Sequence, residues 1–123
     1  MICPKCQADM HKLSTPDAEI DRCSQCNGLW FDMLEHTDVK AIAKQIDIGD
    51  AATGEKFNKI DKISCPVCVN SALIRMVEAG QAHIWFESCP RCFGRFYDAG
   101  EFRDAAEFSL LDFFKQFSLK ARN

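Results

Sequence analysis

The sequence has 123 residues, with 15 lysines and arginines, 18 aspartates and glutamates, and eight cysteines. Its hydrophobic content of 47% and charged content of 27% are those of a folded protein with one or two small domains, which excludes a largely disordered chain. No stretch approaches the roughly 20 apolar residues that span a bilayer, and no signal-peptide pattern fits before Cys3, so we expect a cytoplasmic protein without a membrane segment. Because cytosolic thiols are kept reduced, the cysteines indicate metal binding rather than disulfides.

The first part of the chain predicts a β-hairpin and a third short strand. A turn is expected near Pro16 and Asp17, followed by a return strand around Ile20–Arg22. The third strand is expected over Leu29–Phe31. These elements supply the β part of a small α+β fold.

A helix is predicted after the third strand. Asp32 stands three residues before Glu35, the spacing at which an N-cap side chain and an N3 carboxylate satisfy each other's free amides. The helix is expected over Met33–Ile46 and to end before the next glycine. Its apolar face contains Val39, Ile42, Ala43 and Ile46.

Residues 49–62 are polar and contain two glycines, which predicts a linker. Phe57, Ile60 and Ile63 lie at intervals of three, so this segment can also dock as a short turn. We therefore divide the chain into a first ribbon with its helix at residues 1–48, a linker at 49–62, and a second ribbon with a C-terminal helix at 63–123.

The second part of the chain predicts the same elements again. Strands are expected over Leu73–Val77 and His83–Glu87 around a turn at Ala79–Gln81, and a third short strand over Arg95–Tyr97. A helix over Ala99–Leu119 follows. Its apolar stripe consists of Phe102, Ala106, Leu110, Phe113, Phe114 and Phe117. The predicted fold class is small α+β: two ribbons, each a hairpin with a short strand, and each followed by an α-helix.

The two parts are copies of one module. Four Cys-x-x-Cys pairs carry the repeat: Cys3 and Cys6, Cys23 and Cys26, Cys65 and Cys68, and Cys89 and Cys92. The first pair recurs at an offset of 62 residues and the second at an offset of 66. The offset of 66 continues through five further matches: Gly28 and Gly94, Trp30 and Phe96, Phe31 and Tyr97, Asp32 and Asp98, and Glu35 and Glu101.

The cysteine pairs have the spacing of zinc ligands. Two pairs separated by 16 residues in the first copy and 20 in the second match the way in which two turns present four thiolates to one ion. We expect two Zn²⁺ ions per chain, one held by Cys3, Cys6, Cys23 and Cys26 and the other by Cys65, Cys68, Cys89 and Cys92. Four sulfur ligands leave no open coordination position, so each site is expected to be structural rather than catalytic.

The metal also explains how such small modules fold. A unit of about 35 residues cannot bury enough apolar area to offset its chain entropy, and zinc binding supplies the difference. Iron in a four-thiolate site is the alternative ion. A redox-active Cys-x-x-Cys is the alternative role, which we disfavour because none of the four pairs opens a predicted helix.

These residues resemble a known family, the bacterial zinc ribbon named for transcription factor IIB. Its pattern is CPxC, a spacer, CxxCxGxW, then Asp and a Glu three residues beyond. The first copy follows it through Cys3-Pro4-Lys5-Cys6 and through the segment from Cys23 to Asp32 with Glu35, and the second copy has Phe96 in place of Trp. The Gly that usually follows each second cysteine is replaced by Gln7, Asn27, Val69 and Phe93. The resemblance covers about half of the chain and implies zinc and a ribbon fold, but little about activity.

Four aromatic residues beside the cysteines have two interpretations: Trp30, Phe31, Phe96 and Tyr97. They either cover the metal sites and anchor the helices, or they form a stacking platform for single-stranded nucleic acid together with Arg91 and Arg95. We favour the covering role because such small modules have few other core residues.

The sequence shows no nucleophile–base pair, phosphate loop or carboxylate set that indicates catalysis, so we expect a protein that is not an enzyme. Its formal net charge of −3 is unlike that of proteins that grip nucleic-acid phosphates. We therefore expect a protein-interaction or adaptor module. The alternative is a transcription-associated protein that binds nucleic acid or RNA polymerase, as the resemblance implies.

The Phe-rich C-terminal helix leaves two packing alternatives open. Its stripe either packs within the chain or forms a homodimer, because large apolar patches are rarely left in water. The dimer contact would consist of Phe102, Leu110, Phe113, Phe114 and Phe117. Acidic residues along the helix argue against a membrane surface as its partner.

Overall fold

Six strands form one antiparallel sheet that runs through both halves of the described chain. The computed structural model describes residues 1–16, 18–33, 35–60, 62–78 and 81–107. The strands are β1 (Met10–Ser14), β2 (Glu19–Cys23), β3 (Leu29–Phe31), β4 (Ile74–Glu78), β5 (Gln81–Ser88) and β6 (Arg95–Tyr97). Their order across the sheet is β1-β2-β3-β6-β5-β4, so the first and second halves contribute three neighbouring strands each. The predicted small α+β fold is confirmed.

The two halves meet where β3 pairs with β6. These strands are antiparallel, and Trp30 lies opposite Phe96. The glycine of each half lies against the aromatic ring of the other half: a Cβ at Gly28 would lie 2.3 Å from Phe96 Cζ, and a Cβ at Gly94 would lie 2.2 Å from Trp30 Cζ2. Such distances leave no room for a side chain, so the repeated Gly and aromatic positions serve the contact between the halves.

The sheet buries different side chains on its two faces, because successive strand residues point in opposite directions. The face that we call the cysteine face contains the eight cysteines together with Met10, Trp30, Ile63, Leu73 and Phe96. The opposite face, the helix face, packs Ile20, Leu29, Phe31, Phe86 and Tyr97 against Val39, Ala43, Ile46, Phe102 and Ala106. The helix face is therefore an apolar core, whereas the stability of the cysteine face depends on what its thiols bind.

The helix predicted over Met33–Ile46 is interrupted. It consists of α1 (Glu35–Asp38), a 3-10 turn (Lys40–Ile42) and α2 (Ala43–Ile46). At Val39 and Ile42 φ is −115° and −112°, away from the helical value of about −63°. Both residues are β-branched, which lowers helix propensity. The periodicity predicted the buried face correctly but not these breaks.

Of the two predicted capping pairs, the first is half formed and the second is not formed. Glu35 Oε1 accepts the backbone N–H of Asp32 at 2.9 Å, while the Asp32 carboxylate accepts the indole N–H of Trp30 at 3.3 Å. In the second half, Glu101 Oε2 accepts the backbone N–H of Trp85 at 3.4 Å. The carboxylate of Glu101, in the helix that follows β6, therefore contacts β5 instead of closing a capping box.

The segment predicted as a linker, residues 49–62, contains the helix α3 (Ala51–Asn58). Its N-cap is Asp50, whose carboxylate accepts the backbone N–H of Ala52 at 3.1 Å. Gly54 lies against the second half, since a Cβ there would be 1.9 Å from the carbonyl oxygen of Ala99. The segment packs as a helix because Gly54 permits this backbone contact, which a spacing of apolar residues cannot reveal.

The helix after β6, which we call α4, is described over residues 101–107. Its N-terminus is held by Asp47, a fully buried carboxylate that accepts the backbone N–H of Gly100 and of Arg103, each at 2.9 Å. The Arg103 guanidinium in turn donates to the carbonyl oxygens of Asp47 and Gly49 at 2.9 and 3.3 Å. Burial raises the pKa of Asp47, although the two N–H groups favour its ionised form.

Phe102 of α4 belongs to the helix-face core. Its ring lies 4.6 Å from that of Phe31 and 5.3 Å from that of Tyr97. Because Phe102 is buried within the chain, its predicted part in a dimer contact is wrong. The rest of that predicted contact, Leu110, Phe113, Phe114 and Phe117, lies outside the described residues, as do the continuation of the helix to Leu119 and the predicted turn residues Asp17, Ala79 and Gly80. Among the described helices, none has the length and apolar character needed to cross a bilayer.

Replacing Asp47 by Ala is expected to destabilise the zinc-loaded protein by about 3 kcal/mol, because one buried and one partly buried N–H group at the start of α4 lose their acceptor. Urea unfolding measures this change. Asp50→Ala is the matched comparison, since Asp50 accepts a single exposed N–H and its loss is expected to cost about 1 kcal/mol. Equal effects of the two substitutions would contradict the role assigned to Asp47.

Candidate metal centres

The first four-cysteine cluster joins the N-terminal turn to the turn between β2 and β3. Cys3 and Cys6 lie in the N-terminal turn, Cys23 ends β2, and Cys26 lies three residues before β3. The Sγ atoms of Cys3 and Cys26 are 3.8 Å apart, and those of Cys6 and Cys23 are 3.3 Å apart. All four sulfurs lie within 4.8 Å of one another.

The second cluster repeats this arrangement in the other half. Cys65 and Cys68 lie before β4, and Cys89 and Cys92 lie in the turn between β5 and β6. The Sγ atoms of Cys65 and Cys92 are 3.8 Å apart, and the four sulfurs again lie within 4.8 Å of one another. This cluster is the more open one, because both Cys68 and Cys92 are half-buried, whereas in the first cluster Cys6 alone is.

Both clusters fit zinc. A tetrahedral ion with Zn–S bonds of about 2.3 Å places its sulfurs about 3.8 Å apart, which is the distance between Cys3 and Cys26 and between Cys65 and Cys92. All eight cysteines are free thiols, so each can supply a thiolate. The structure therefore brings the eight predicted ligands into two groups of four, each closed by its own protein ligands, which supports two Zn²⁺ ions per chain.

Backbone amides surround the sulfurs and spread their charge. The N–H groups of Gln25 and Cys26 donate to Cys23 Sγ at 3.4 Å each. In the second half, the N–H group of Cys68 donates to Cys65 Sγ at 3.3 Å and that of Arg91 to Cys89 Sγ at 3.4 Å. These donors stabilise negative sulfur and orient it towards a shared point.

The turns adopt left-handed backbone conformations without glycine. We call each turn that holds one Cys-x-x-Cys pair a knuckle. Directly after the second cysteine of three knuckles, φ is +63° at Gln7, +59° at Asn27 and +61° at Phe93. In the remaining knuckle the left-handed residue is Asn70, with φ of +55°, one position later than the sequence pattern places it. The turns therefore keep the shape for which the family uses Gly, at a cost that is largest for a bulky residue such as Phe93.

One thiol in each cluster is favoured as a thiolate even before metal binds. A hydrogen bond from the Cys26 thiol lowers the pKa of Cys3 to about 5. In the second cluster, burial opposes ionisation of Cys89, but the Ser71 hydroxyl, 3.3 Å from its sulfur, helps to lower the pKa of Cys89 to about 6. Since zinc binds thiolates, metal binding releases protons from the remaining thiols.

The role of Lys5, one of the two residues between Cys3 and Cys6, was not predicted from the sequence. The side chain of Lys5 is fully buried, and its Nζ lies 2.7 Å from Glu87 Oε1 and 2.6 Å from Asp98 Oδ2. Nζ also donates to the carbonyl oxygen of Phe57 at 3.0 Å. Nothing in the Cys-Pro-x-Cys pattern marks its third position, so the sequence carried no signal for this contact.

The four aromatic residues of the repeat are buried: Trp30, Phe31, Phe96 and Tyr97. Trp30 and Phe96 cover the cysteine face, while Phe31 and Tyr97 pack on the helix face with ring centroids 5.8 Å apart. They are therefore core residues, and the hypothesis that they form a stacking platform for nucleic acid is wrong.

Residues 2–42 match the family described as Transcription factor zinc-finger, the TFIIB-type zinc ribbon. No curated protein and no solved structure matches the chain. The matched segment contains the whole of the first cluster, and the second cluster again has two Cys-x-x-Cys pairs, with a spacer four residues longer. Residues 2–42, about a third of the chain, are therefore similar to the zinc ribbons of the transcription factor zinc-finger family, and they are joined in one sheet to a second four-cysteine unit.

Proposed function

We propose that this chain is a non-enzymatic adaptor that binds a protein partner through the turns of its second ribbon. Four thiolates fill the coordination shell of a tetrahedral ion, so neither cluster leaves a position for substrate or activated water. The zinc ions then have a structural role, and function rests on the surface that they hold in shape. Eight free thiols arranged as metal ligands also fit a reducing compartment such as the cytoplasm.

The observation that carries the proposal is a difference between two copies of the same turns. In the first ribbon these positions hold Lys5, whose side chain is buried, and the polar residues Gln7 and Asn27. In the second they hold Val67, Val69 and Phe93, whose side chains are 50%, 77% and 58% exposed. We call these three residues the apolar knuckle surface. Because Asn27 forms the matching turn of the first ribbon at nearly the same left-handed φ as Phe93, a turn of this shape does not require an apolar residue.

Phe93 is the sharpest case. It is exposed and contributes no core packing, yet it occupies a left-handed backbone conformation that disfavours bulky side chains. Asn27 holds the matching position in the first ribbon at nearly the same φ and at lower conformational cost. An exposed aromatic residue at a strained position suggests selection for contact with another molecule.

The apolar knuckle surface continues into a groove on the helix face. The groove has a volume of about 400 Å³ and shares Phe93 with the knuckle surface. The exposed side chains of Met33, Ile74 and Met76 line it. Exposed apolar side chains grouped around one groove are typical of protein–protein contacts.

The charges beside this surface indicate the chemistry of the partner. Arg91 is exposed in the same turn as Phe93, and Arg95 lines the groove, where its guanidinium also lies 3.6 Å from Glu78 Oε1. A protein segment that combines apolar side chains with acidic residues would match both the groove and these cations. Nucleic acid fits less well, because the formal net charge is −3 and phosphate binding requires many cations.

Site-specific photo-crosslinking tests this proposal. A photoreactive amino acid at position 69 of the full chain captures neighbouring proteins in the source cells, and a captured protein is then identified and purified. Calorimetry compares its affinity for the unchanged chain and for Val69→Gln with Phe93→Asn, which installs the first ribbon's residues. We expect at least tenfold weaker binding by the double variant, since few residues carry most interface energy.

The matched control is Ile48→Gln, which removes an apolar side chain that is also exposed but does not line the groove. This substitution should leave the affinity unchanged. Equal affinity of the double variant and the unchanged chain would refute the proposal. Salt-sensitive binding of single-stranded DNA or RNA by both proteins would support the transcription-associated alternative instead.

A further inference from the structure

Lys5 connects the first metal site to the second half of the molecule. It lies between Cys3 and Cys6, so the loaded turn determines where its side chain points. Its ammonium group is buried between the carboxylates of Glu87 and Asp98, at 2.7 and 2.6 Å. It also lies 5.6 Å from the ring centroid of Phe96, which faces the first half.

The partners of Lys5 are themselves tied to the second metal site. Glu87 is on β5 two residues before Cys89, and β5 ends at Ser88. Asp98 directly follows β6, the strand that leads out of the turn containing Cys92. A displacement of these carboxylates therefore displaces the turn that carries two ligands of the second site.

The first ribbon reaches into the second half through Lys5, but the second ribbon has no matching lysine that reaches into the first half. The position in the second ribbon that matches Lys5 is Val67, which is exposed and makes no such connection. The ribbon turn itself therefore does not require a buried cation at this position. Lys5 serves the relation between the two halves rather than the local fold.

We propose that the two zinc sites bind and release metal as one cooperative unit, and that Lys5 is the positioning residue that couples them. Loss of the first ion frees the turn between Cys3 and Cys6, and the ammonium group leaves its buried site. Glu87 and Asp98 are then buried carboxyl groups that have lost their shared cation, which is unfavourable. The second half relieves this by opening, and the second site loses affinity.

The coupling is reciprocal. By thermodynamic linkage, loss of the second ion lowers the affinity of the first site by the same factor. Breaking a buried ion pair on one side corresponds to a change in affinity on the order of a hundredfold. With that factor and equal intrinsic affinities, about one molecule in ten carries a single ion at half-saturation, compared with about half of the molecules for independent sites.

Native mass spectrometry of the full chain during a chelator titration tests this inference. The unchanged protein is expected to show two-zinc and zinc-free species with a single-zinc fraction near one in ten, as derived above. Lys5→Met should raise that fraction towards a half. The control is Lys12→Met, which removes a lysine that is 65% exposed and makes two long ion-pair contacts, 3.8 Å to Glu19 Oε2 and 4.0 Å to Asp21 Oδ1. This variant should behave like the unchanged protein.

Two results would overturn the inference. One is a single-zinc fraction near a half in the unchanged protein, and the other is a fraction near one in ten in Lys5→Met. If Lys5→Met does not load zinc, Glu87→Gln decides the question, because it keeps the contact between Lys5 and Asp98 and the side-chain volume. Glu87→Gln should increase the single-zinc fraction, and an unchanged fraction would contradict the inference.

Discussion

Removal of both zinc ions by a strong chelator is expected to abolish the cooperative unfolding transition of the chain. The cysteine face is built around eight thiols, and the apolar residues there pack against them. Structural zinc sites contribute apparent binding free energies of about 10–16 kcal/mol each, as much as or more than the whole stability of a typical domain, about 5–15 kcal/mol. The apolar core of the helix face alone does not compensate for that loss.

Thermal melts followed by circular dichroism measure this effect, and amide chemical-shift dispersion in NMR spectra reports whether the sheet persists. Adding back two equivalents of Zn²⁺ should restore both signals, which separates metal loss from thiol oxidation. Cys6→Ser and Cys68→Ser each remove one half-buried ligand, and each should lower the melting temperature, as chelation does. A cooperative melt that survives exhaustive chelation would show that sulfur-bound metal does not hold this fold together.

The sequence was most informative where a short pattern has a direct chemical meaning. The four Cys-x-x-Cys pairs predicted both metal clusters, because a closed tetrahedral site needs that ligand spacing. The strands Leu29–Phe31 and Arg95–Tyr97 have the bounds that the sequence predicted, because a run of apolar and aromatic residues between a knuckle and a helix signal leaves few alternatives.

Contacts between the halves could not be predicted in the same way. The pairing of β3 with β6 involves three residues on each strand, separated by more than 60 positions, and leaves no periodic signal. The third position of the Cys-Pro-x-Cys motif is free in the pattern, yet Lys5 is buried there. The helix α3 depends on Gly54 fitting against the Ala99 backbone, which is a property of the assembled fold.

Gly94→Ala is expected to destabilise the zinc-loaded protein by about 1–3 kcal/mol, the usual cost of overpacking a core. The added methyl group would lie 2.2 Å from Trp30 Cζ2. Trp30 is fully buried and stands in the strand pair that joins the halves, so its ring cannot move aside without disturbing β3 and β6. Urea unfolding at saturating zinc measures the change in the free energy of unfolding.

The clash predicts a rescue that a general loss of stability would not show. Trp30→Phe removes the six-membered part of the indole that contacts Gly94, and matches the residue at position 96. Alone it should cost about 2 kcal/mol because it leaves a cavity. Combined with Gly94→Ala, the total should fall below the sum of the two single effects by at least about 1 kcal/mol, since the methyl group fills the vacated space. Gly28→Ala meets Phe96 instead, so Trp30→Phe should not rescue it. Additive effects in the first pair, or equal rescue in the second, would contradict the reciprocal packing of the two ribbons.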